Sequence, residues 1–447
     1  MKRKKRRRLK RNFLYLVIIL ALVIIISLIF ANFNIKSDNI NNKKTIDLVK
    51  VIDDKIDDDK VNTKFLNWLK DKYSINSLYK LNEKLDKTDY DKSIWHEVIG
   101  ESYIVLQDLY NKKYDDMVNV KILEKKDSSI LSFIGDVSLA DNWYIMPEYD
   151  KRGKKIYGIL SDDVVDIMIK SDLMIANNEF TVSDRGEKMP RKYYTFRASP
   201  KRLSIYKEMG VDLVTLANNH VYDFGEIAFN DMLNSFNEYN IPYIGAGKNI
   251  EEAKKPFYFI VNGYKISFVN ATRAEKYILT PEATESTGGV FRCYDPTNFI
   301  NVIKQEKEVS DYVIALIHYG KEDSHELEDV QIESSKMYID AGADVIVGSH
   351  AHVLQGVEFY KDKLIVYNLG DFIFNNETKD TGIFQIKMDN NGKMDYYFIP
   401  ALEKDEYTKL LDGEEKNRVI KNMNSWSVNA KINSDGKIEE KKDNIHE

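Results

Sequence analysis

Cysteine is nearly absent: Cys293 is the only one in 447 residues. An intrachain disulfide framework is therefore excluded, and any extracytoplasmic domain must hold together by packing alone. No cysteine follows the apolar amino-terminal run, which excludes a lipoprotein anchor. A basic excess is lacking too. Nine of the 65 Lys and Arg lie before residue 12, and the other 56 face 71 Asp and Glu, a balance of about −15. Nucleic acid is thereby excluded as a partner, since its binding rests on neutralising phosphates with basic side chains. No internal repeat is visible. With 43% hydrophobic residues the chain is not disordered as a whole, and its length suits one large core or two modest ones.

The basic head, Lys2 to Arg11, precedes "FLYLVIILALVIIISLIFANF". Phe13 to Ala31 is a run of 19 uncharged residues, close to the roughly 20 that span a bilayer and longer than the ~7–15 of a signal-peptide core. The run reads as an uncleaved transmembrane anchor over 13–33. Residues 1–12 then stay cytoplasmic, against the anionic leaflet, and the rest of the chain lies outside. A cleavable signal is the alternative, because Ser27 to Ala31 offers small residues near a cut.

Residues 34–128 are rich in Asp, Lys and Asn. Within them "SIWHEVIGESYIVLQDLYNKKY" places Trp95, Val98, Ile99, Leu106, Leu109 and Tyr110 at helical spacing, which predicts a small helical stalk. His96 lies beside that stripe and reads as structural. From residue 129 to about 400 short Val/Ile/Leu runs alternate with helical stretches: "ILSFIGD", "DLMIANNE", "VDLVTLANNH", "KISFVNAT", "YVIALIHYG", "ADVIVGSHAH" and "LIVYNLGDF". Such runs are what strands buried on both faces look like, so an α/β core of layered sheet and helices is expected. "SPKRLSIYKEMG" and "GEIAFNDMLNSFNEYN" are the helix candidates between them. Residues 401–447 read as an extension ending in a solvated tail from Asn433.

Polar side chains collect at the carboxyl ends of these runs: Asp136, Glu179, Asn219, His220, His318, His350 and His352. In open α/β sheets, ligands bind beyond the carboxyl ends of strands. Carboxylates, an amide oxygen and imidazoles together suit Mn, Fe or Zn rather than Ca. A pair of divalent ions needs a bridging carboxylate, for which Glu179 is the candidate. Asp136 and His352 then complete one ion, and Asn219, His318 and His350 the other. His220 is left free to move a proton. Alternation along a strand would aim both rings of "HAH" to one side. Each piece also has a plainer reading: "GD" after an apolar run is a common turn, and Asp223 in "YDFG" could cap or turn the chain. Asn218 and Asp371 are secondary candidates, while His325 and His446 follow no strand end and read as solvated.

Taken together, "YTFRASPKRLSIYKEMGVDLVTLANNHVYDFG", "IPYIGAGKNIEEAKKP", "IHYGKE", "AGADVIVGSHAHVLQGVE" and "VYNLGDFIF" resemble the bacterial CapA (PgsA) proteins of poly-γ-glutamate capsule synthesis. Those proteins belong to the calcineurin-like metallophosphoesterase superfamily. The resemblance runs from about Ile130 to Phe374. It implies a four-layer sandwich with a dinuclear site, the seven residues above as that site, and His220 as proton donor to the leaving group. Four departures stand out, one of them Glu179, which stands where many enzymes of that superfamily have aspartate. Ser138 occupies a position where superfamily phosphatases usually have a histidine, and "GSHAH" and "LGDF" replace the more common "GHHPH" and "LGNF".

The expectation is a membrane-anchored protein whose outward domain acts on, or helps export and anchor, a polyanionic surface polymer beside membrane synthase subunits. The rivals are a non-catalytic accessory subunit of such a complex and a surface phosphodiesterase.

Overall fold

The computed structural model describes residues 120–123, 126–275 and 278–441. The basic head, the anchor at 13–33, most of the stalk with His96, and His446 lie outside the described residues. Among the described residues no helix is long and apolar enough to cross a membrane.

In chain order, the elements that place the site are β1 (Ser128–Val137), α1 (Ile145–Arg152), β2 (Leu173–Asn178), β3 (Leu213–Thr215), α2 (Gly225–Glu238), β4 (Tyr264–Thr272), α3 (Thr297–Val309), β5 (Tyr312–His318), α4 (Asp329–Ala341), β6 (Val345–Ser349), β7 (Asp371–Ile373), β8 (Lys379–Asp389) and β9 (Met394–Glu403). In a ten-stranded sheet, β2 lies parallel to β1 and β3 parallel to β2, while β8 pairs antiparallel with the other edge of β1 and β9 follows β8. A seven-stranded sheet carries β4, β5 and β6 side by side and parallel.

The pleat sorts side chains into layers, because successive residues of a strand point to opposite faces. Leu131 and Phe133 of β1, Leu173 and Ile175 of β2, Ile314 and Leu316 of β5, and Val345 and Val347 of β6 share one apolar layer between the sheets. On the far face of the larger sheet, Ile134, Met174 and Ala176 pack with Phe229, Met232 and Phe236 of α2. On the far face of the smaller sheet, Val313, Ala315 and Ile317 pack with Phe299 of α3 and Tyr338 of α4. Each large apolar side chain so buried contributes about 1.5–3 kcal/mol. The architecture is a mixed α/β fold, and burial on both faces is why its central strands read as unbroken apolar runs.

Three expectations need adjustment. "SPKRLSIYKEMG" forms a 3-10 turn, Pro200–Leu203, running into a helix of only five residues, Ser204–Glu208. A short strand, Val120–Ile122, pairs with Phe257–Val261, so the boundary drawn at 129 falls inside the fold. The segment from Asn433 is not a free tail as far as Lys441: Lys437–Glu440 forms a hairpin with Ala430–Ile432 and pairs with β9. Its one buried face, Ala430, Ile432 and Ile438, is hidden among exposed Lys431, Glu439 and Glu440, which is why it read as solvated.

Glycine sets one close approach near the site. The amide of Asp136 donates to the Gly370 carbonyl at 3.0 Å, and a Cβ on Gly135 would stand 1.9 Å from that oxygen. This contact lets β7 lie against β1 with Asp371 opposite Asp136.

Candidate metal centre

Both sheets supply the site. Asp136 lies in β1, Glu179 follows β2 and Asn219 with His220 follows β3, whereas His318 ends β5 and His350 and His352 follow β6. All seven are at least nine-tenths buried except His352, which is partly buried. The histidines of "HAH" converge for a reason other than strand alternation. Both lie past the end of β6 with left-handed backbone, φ 98° at His350 and 57° at His352. Non-glycine residues adopt such conformations at a cost, and they persist where the surroundings over-determine them.

Glu179 is the centre of the cluster. Its Oε1 is buried with no hydrogen-bond partner, yet the Nε2 atoms of His318 and His352 stand 3.7 Å away and that of His220 stands 3.9 Å away. These distances are too long for hydrogen bonds and leave room for a shared cation. Its other oxygen accepts from Asn177 Nδ2 at 3.1 Å, which also donates to Asp136 Oδ1 at 2.8 Å. Asp136 Oδ2 in turn accepts the His350 amide at 3.0 Å. His318 places Nε2 2.7 Å from Asn219 Oδ1 and Nδ1 2.8 Å from Ser349 Oγ. His350 Nδ1 is buried without a partner.

Three groups bring their ligand atoms within 4.8 Å of one another: Glu179, His350 and His352; Asp136, His352 and Asp371; and Asp136, Glu179 and His318. His352 is thus shared between groups, and His318 reaches Asp136 as well as the Asn219 side. Asp371 gains a definite place. Its Oδ1 lies 2.7 Å from His352 Nδ1, and its Oδ2 faces Lys379 Nζ at 3.4 Å. A carboxylate behind a ring nitrogen fixes the tautomer and turns the other nitrogen, here Nε2, toward a metal.

The electrostatics suit a bound cation. Burial, then the nearby Asp136, pushes the Glu179 carboxyl well above the usual carboxylate range. Burial likewise raises Asp136. Burial and neighbouring imidazoles hold His318 and His350 well below the ordinary histidine value. Uncharged imidazoles beside carboxylates that resist ionising alone make a donor set that a divalent ion would complete. These residues therefore fit a metal; mixed carboxylate and imidazole donors suit Mn, Fe or Zn.

Behind the ligands lies a layer that the sequence reading saw only in part. Asp223 Oδ2 sits 2.8 Å from His220 Nδ1 and accepts the Phe196 amide at 2.7 Å. The turn role for Asp223 is therefore incomplete, because it also orients His220. Asn218 is a loop builder: its amide donates to the Asn178 carbonyl at 2.7 Å and its oxygen accepts the His220 amide at 3.0 Å. Asn177 and Lys192 were missed. Asn177 had a faint signal, two residues before Glu179 on the same strand end. Lys192 had none, since a lysine in a loop reads as solvated; it is buried, with Nζ 2.7 Å from both Asp223 and Glu275 and bonded to the Asn219 carbonyl. His325, expected to be solvated, is exposed but stacks on Trp426 at 4.1 Å.

Comparison with known proteins gives the family. The PGA biosynthesis protein CapA of Bacillus subtilis (strain 168) is 30% identical over 266 residues, 58% of this chain and 68% of that protein. The capsule biosynthesis protein CapA of Bacillus anthracis is 30% identical over 254 residues, 55% of this chain and 60% of that protein. A crystal structure of a candidate 5′-nucleotidase from Staphylococcus aureus in complex with alpha-ketoglutarate aligns with a TM-score of 0.38 at 15% identity, covering 67% of this chain and 58% of that one. The family model described as "Bacterial capsule synthesis protein PGA_cap" matches residues 130–376. That span is more than half of the chain and holds every residue of the cluster from Asp136 to Asp371, so this protein belongs to the PGA_cap family of bacterial capsule synthesis proteins.

Proposed function

We propose that the protein is a membrane-anchored capsule polymer biosynthesis protein whose described domain is an extracytoplasmic dinuclear-metal hydrolase acting on a polymer of the poly-γ-glutamate type. The observation that carries the hydrolase reading is Glu179 Oε1, a buried carboxylate oxygen without a hydrogen bond and ringed by three imidazole nitrogens at 3.7–3.9 Å. Family membership supports the polymer. Helices on the outer faces of two packed sheets support the four-layer metallophosphoesterase-like sandwich. The 19-residue uncharged run behind a basic head supports a single-pass anchor, with the domain outside the cell and membrane synthase or export subunits as neighbours.

In this reading Asp136 and His352 would hold one ion and Asn219, His318 and His350 the other, with the Glu179 carboxylate available to both. When bound, the ions supply Lewis acidity and a water of lowered pKa. The chain does the rest. Asp371 fixes the His352 ring, Asn177 sets the Asp136 and Glu179 carboxylates, and Asn218 shapes the loop that carries Asn219. His220, held through Nδ1 by Asp223, presents Nε2 to the cluster and delivers a proton to the departing group.

The test uses the full-length protein purified in detergent. Bound metal is counted, and phosphodiester and γ-glutamyl substrates are assayed with the native protein and His220→Ala. Bound metal with turnover lowered by about 10²- to 10⁴-fold in the variant is the expected result. Absence of metal and of turnover on every substrate, in a protein that cells still require for polymer, establishes the second reading: a non-catalytic accessory subunit. One observation favours that second reading, namely Ser138, which stands where a ligand histidine is usual and whose buried Oγ has no partner.

A further inference from the structure

An acidic protein that handles a polyanion needs a local place to hold it. Beyond residue 11 this chain carries 71 acidic against 56 basic residues, so its overall charge repels such a chain. One region gathers basic side chains, of which Arg152 is paired with Glu148 at 3.2 Å and Glu406 at 3.6 Å. An open cleft of about 730 Å³ is lined by Arg152, Lys154, Lys404, Lys409, Tyr157 and Tyr407, with Asp405 as its one acidic residue. Lys154, Lys404 and Lys409 are exposed, and no ion pair engages them among the described residues.

Arg152 braces the cleft rather than filling it. Its guanidinium donates to the carbonyls of Gly158 at 2.8 Å, Glu406 at 3.1 Å and Asp405 at 2.9 Å, which ties the two lips together. Three non-glycine residues on those lips have left-handed backbone: Lys155, Asp405 and Glu406, at φ 55°, 53° and 54°. At Asp405 and Glu406 this is the conformation of a two-residue hairpin turn, closed by the Lys404 and Tyr407 backbone hydrogen bonds at 2.9 and 3.1 Å, which fixes the shape of that lip.

Each lip of the cleft leads, through α1 or through Glu403, to an aromatic ring packed on an imidazole of the metal centre. α1 has eight residues and so is about 12 Å long. It leads from Trp143 to Arg152; the Trp143 ring packs on Phe196 at 4.9 Å, and Phe196 lies 4.4 Å from the His220 ring. On the other lip, Glu403, next to Lys404, accepts the amides of Phe374 and Asn375, and the Phe374 ring lies 4.9 Å from that of His352.

We propose that this cleft is a docking subsite for a polycarboxylate chain, the γ-glutamyl polymer of the function proposed above, on which this inference rests. The carboxylates of the chain pair with Lys154, Lys404 and Lys409. Tyr157 and Tyr407 pack on its methylene and amide spans, and the adjoining stretch of polymer is delivered to the metal centre. Charge complementarity selects the occupant, because three exposed lysines without ion pairs line one open cleft.

The experiment is a calorimetric titration of the full-length protein in detergent with a γ-linked glutamate oligomer, at low and high salt. Lys154→Glu, Lys404→Glu and Lys409→Glu combined are expected to weaken binding by about tenfold or more and to remove its salt dependence. Tyr157→Ala is expected to weaken binding without changing the salt dependence. Metal content and melting temperature should stay at native values, because all three lysines are exposed. Equal binding by the triple variant overturns the cleft while leaving the polymer reading standing. Tighter binding of a glycerol-phosphate polymer that is lost in the same variant overturns the polycarboxylate occupant. If neither polymer binds, the cleft is again overturned, and polymer production by cells carrying His220→Ala then judges the proposed function separately.

Discussion

Lys192 ties together the layer behind the candidate metal ligands. Its ammonium is buried between Asp223 and Glu275 at 2.7 Å each, so removing it strands two carboxylates. Lys192→Met should therefore cost about 3–5 kcal/mol of stability, read from denaturant unfolding; a loss below about 1 kcal/mol, the range of exposed pairs, would show that solvent reaches the site. His352 gives a prediction in pH. Burial works against its charge, but Asp371 and then Asp136 outweigh it and hold the imidazolium up to about 9, against an ordinary value of 6.5. A folded-state pKa raised in this way contributes stability that is complete below the unfolded pKa and is lost as pH rises through the folded one. The melting temperature of chelator-stripped protein should thus fall between pH 6.5 and about 9. Asp371→Asn should flatten that slope, and an unchanged slope would assign the loss to another group.

At the scale of elements, the approach of β7 to β1 decides whether Asp371 meets His352 at all. Gly135→Ala would drive a methyl group to 1.9 Å from the Gly370 carbonyl and force the strands apart. Overpacking typically costs about 1–3 kcal/mol, and metal affinity should fall with it, as measured by metal titration beside thermal unfolding. The carboxyl-terminal hairpin is also part of the fold. Ile438 is buried in the layer between the sheets, so Ile438→Ala should cost about 2–5 kcal/mol; a neutral result would return this segment to the solvated tail that its polar residues imply.

For the whole molecule, the candidate ligands come from two sheets that share an apolar layer, so a bound metal would tie the sheets together at one edge. Ligand that binds only the native state stabilises it by about 2.7 kcal/mol at one hundred times its Kd. Removing metal with a chelator should lower the melting temperature, and restoring Mn, Fe or Zn should recover it. The size of the recovery for each ion reads out which of them the donor set prefers.

By itself the sequence determined the α/β class and seven side chains at strand ends, because a strand buried on both faces must be continuously apolar and a functional group must wait for its end. Asp136, Glu179 and the "NNH" and "HAH" segments were legible for that reason, as were the uncharged run and its basic head. Only the tertiary structure decided how they meet. It brought Asp371 onto His352 through a glycine contact between strands far apart in sequence, buried Lys192 beneath Asp223, and aimed the two late histidines by left-handed turns. Local pattern records which face of a strand is buried, but not which distant loop covers its end, and the orientation of each ligand is set by that covering.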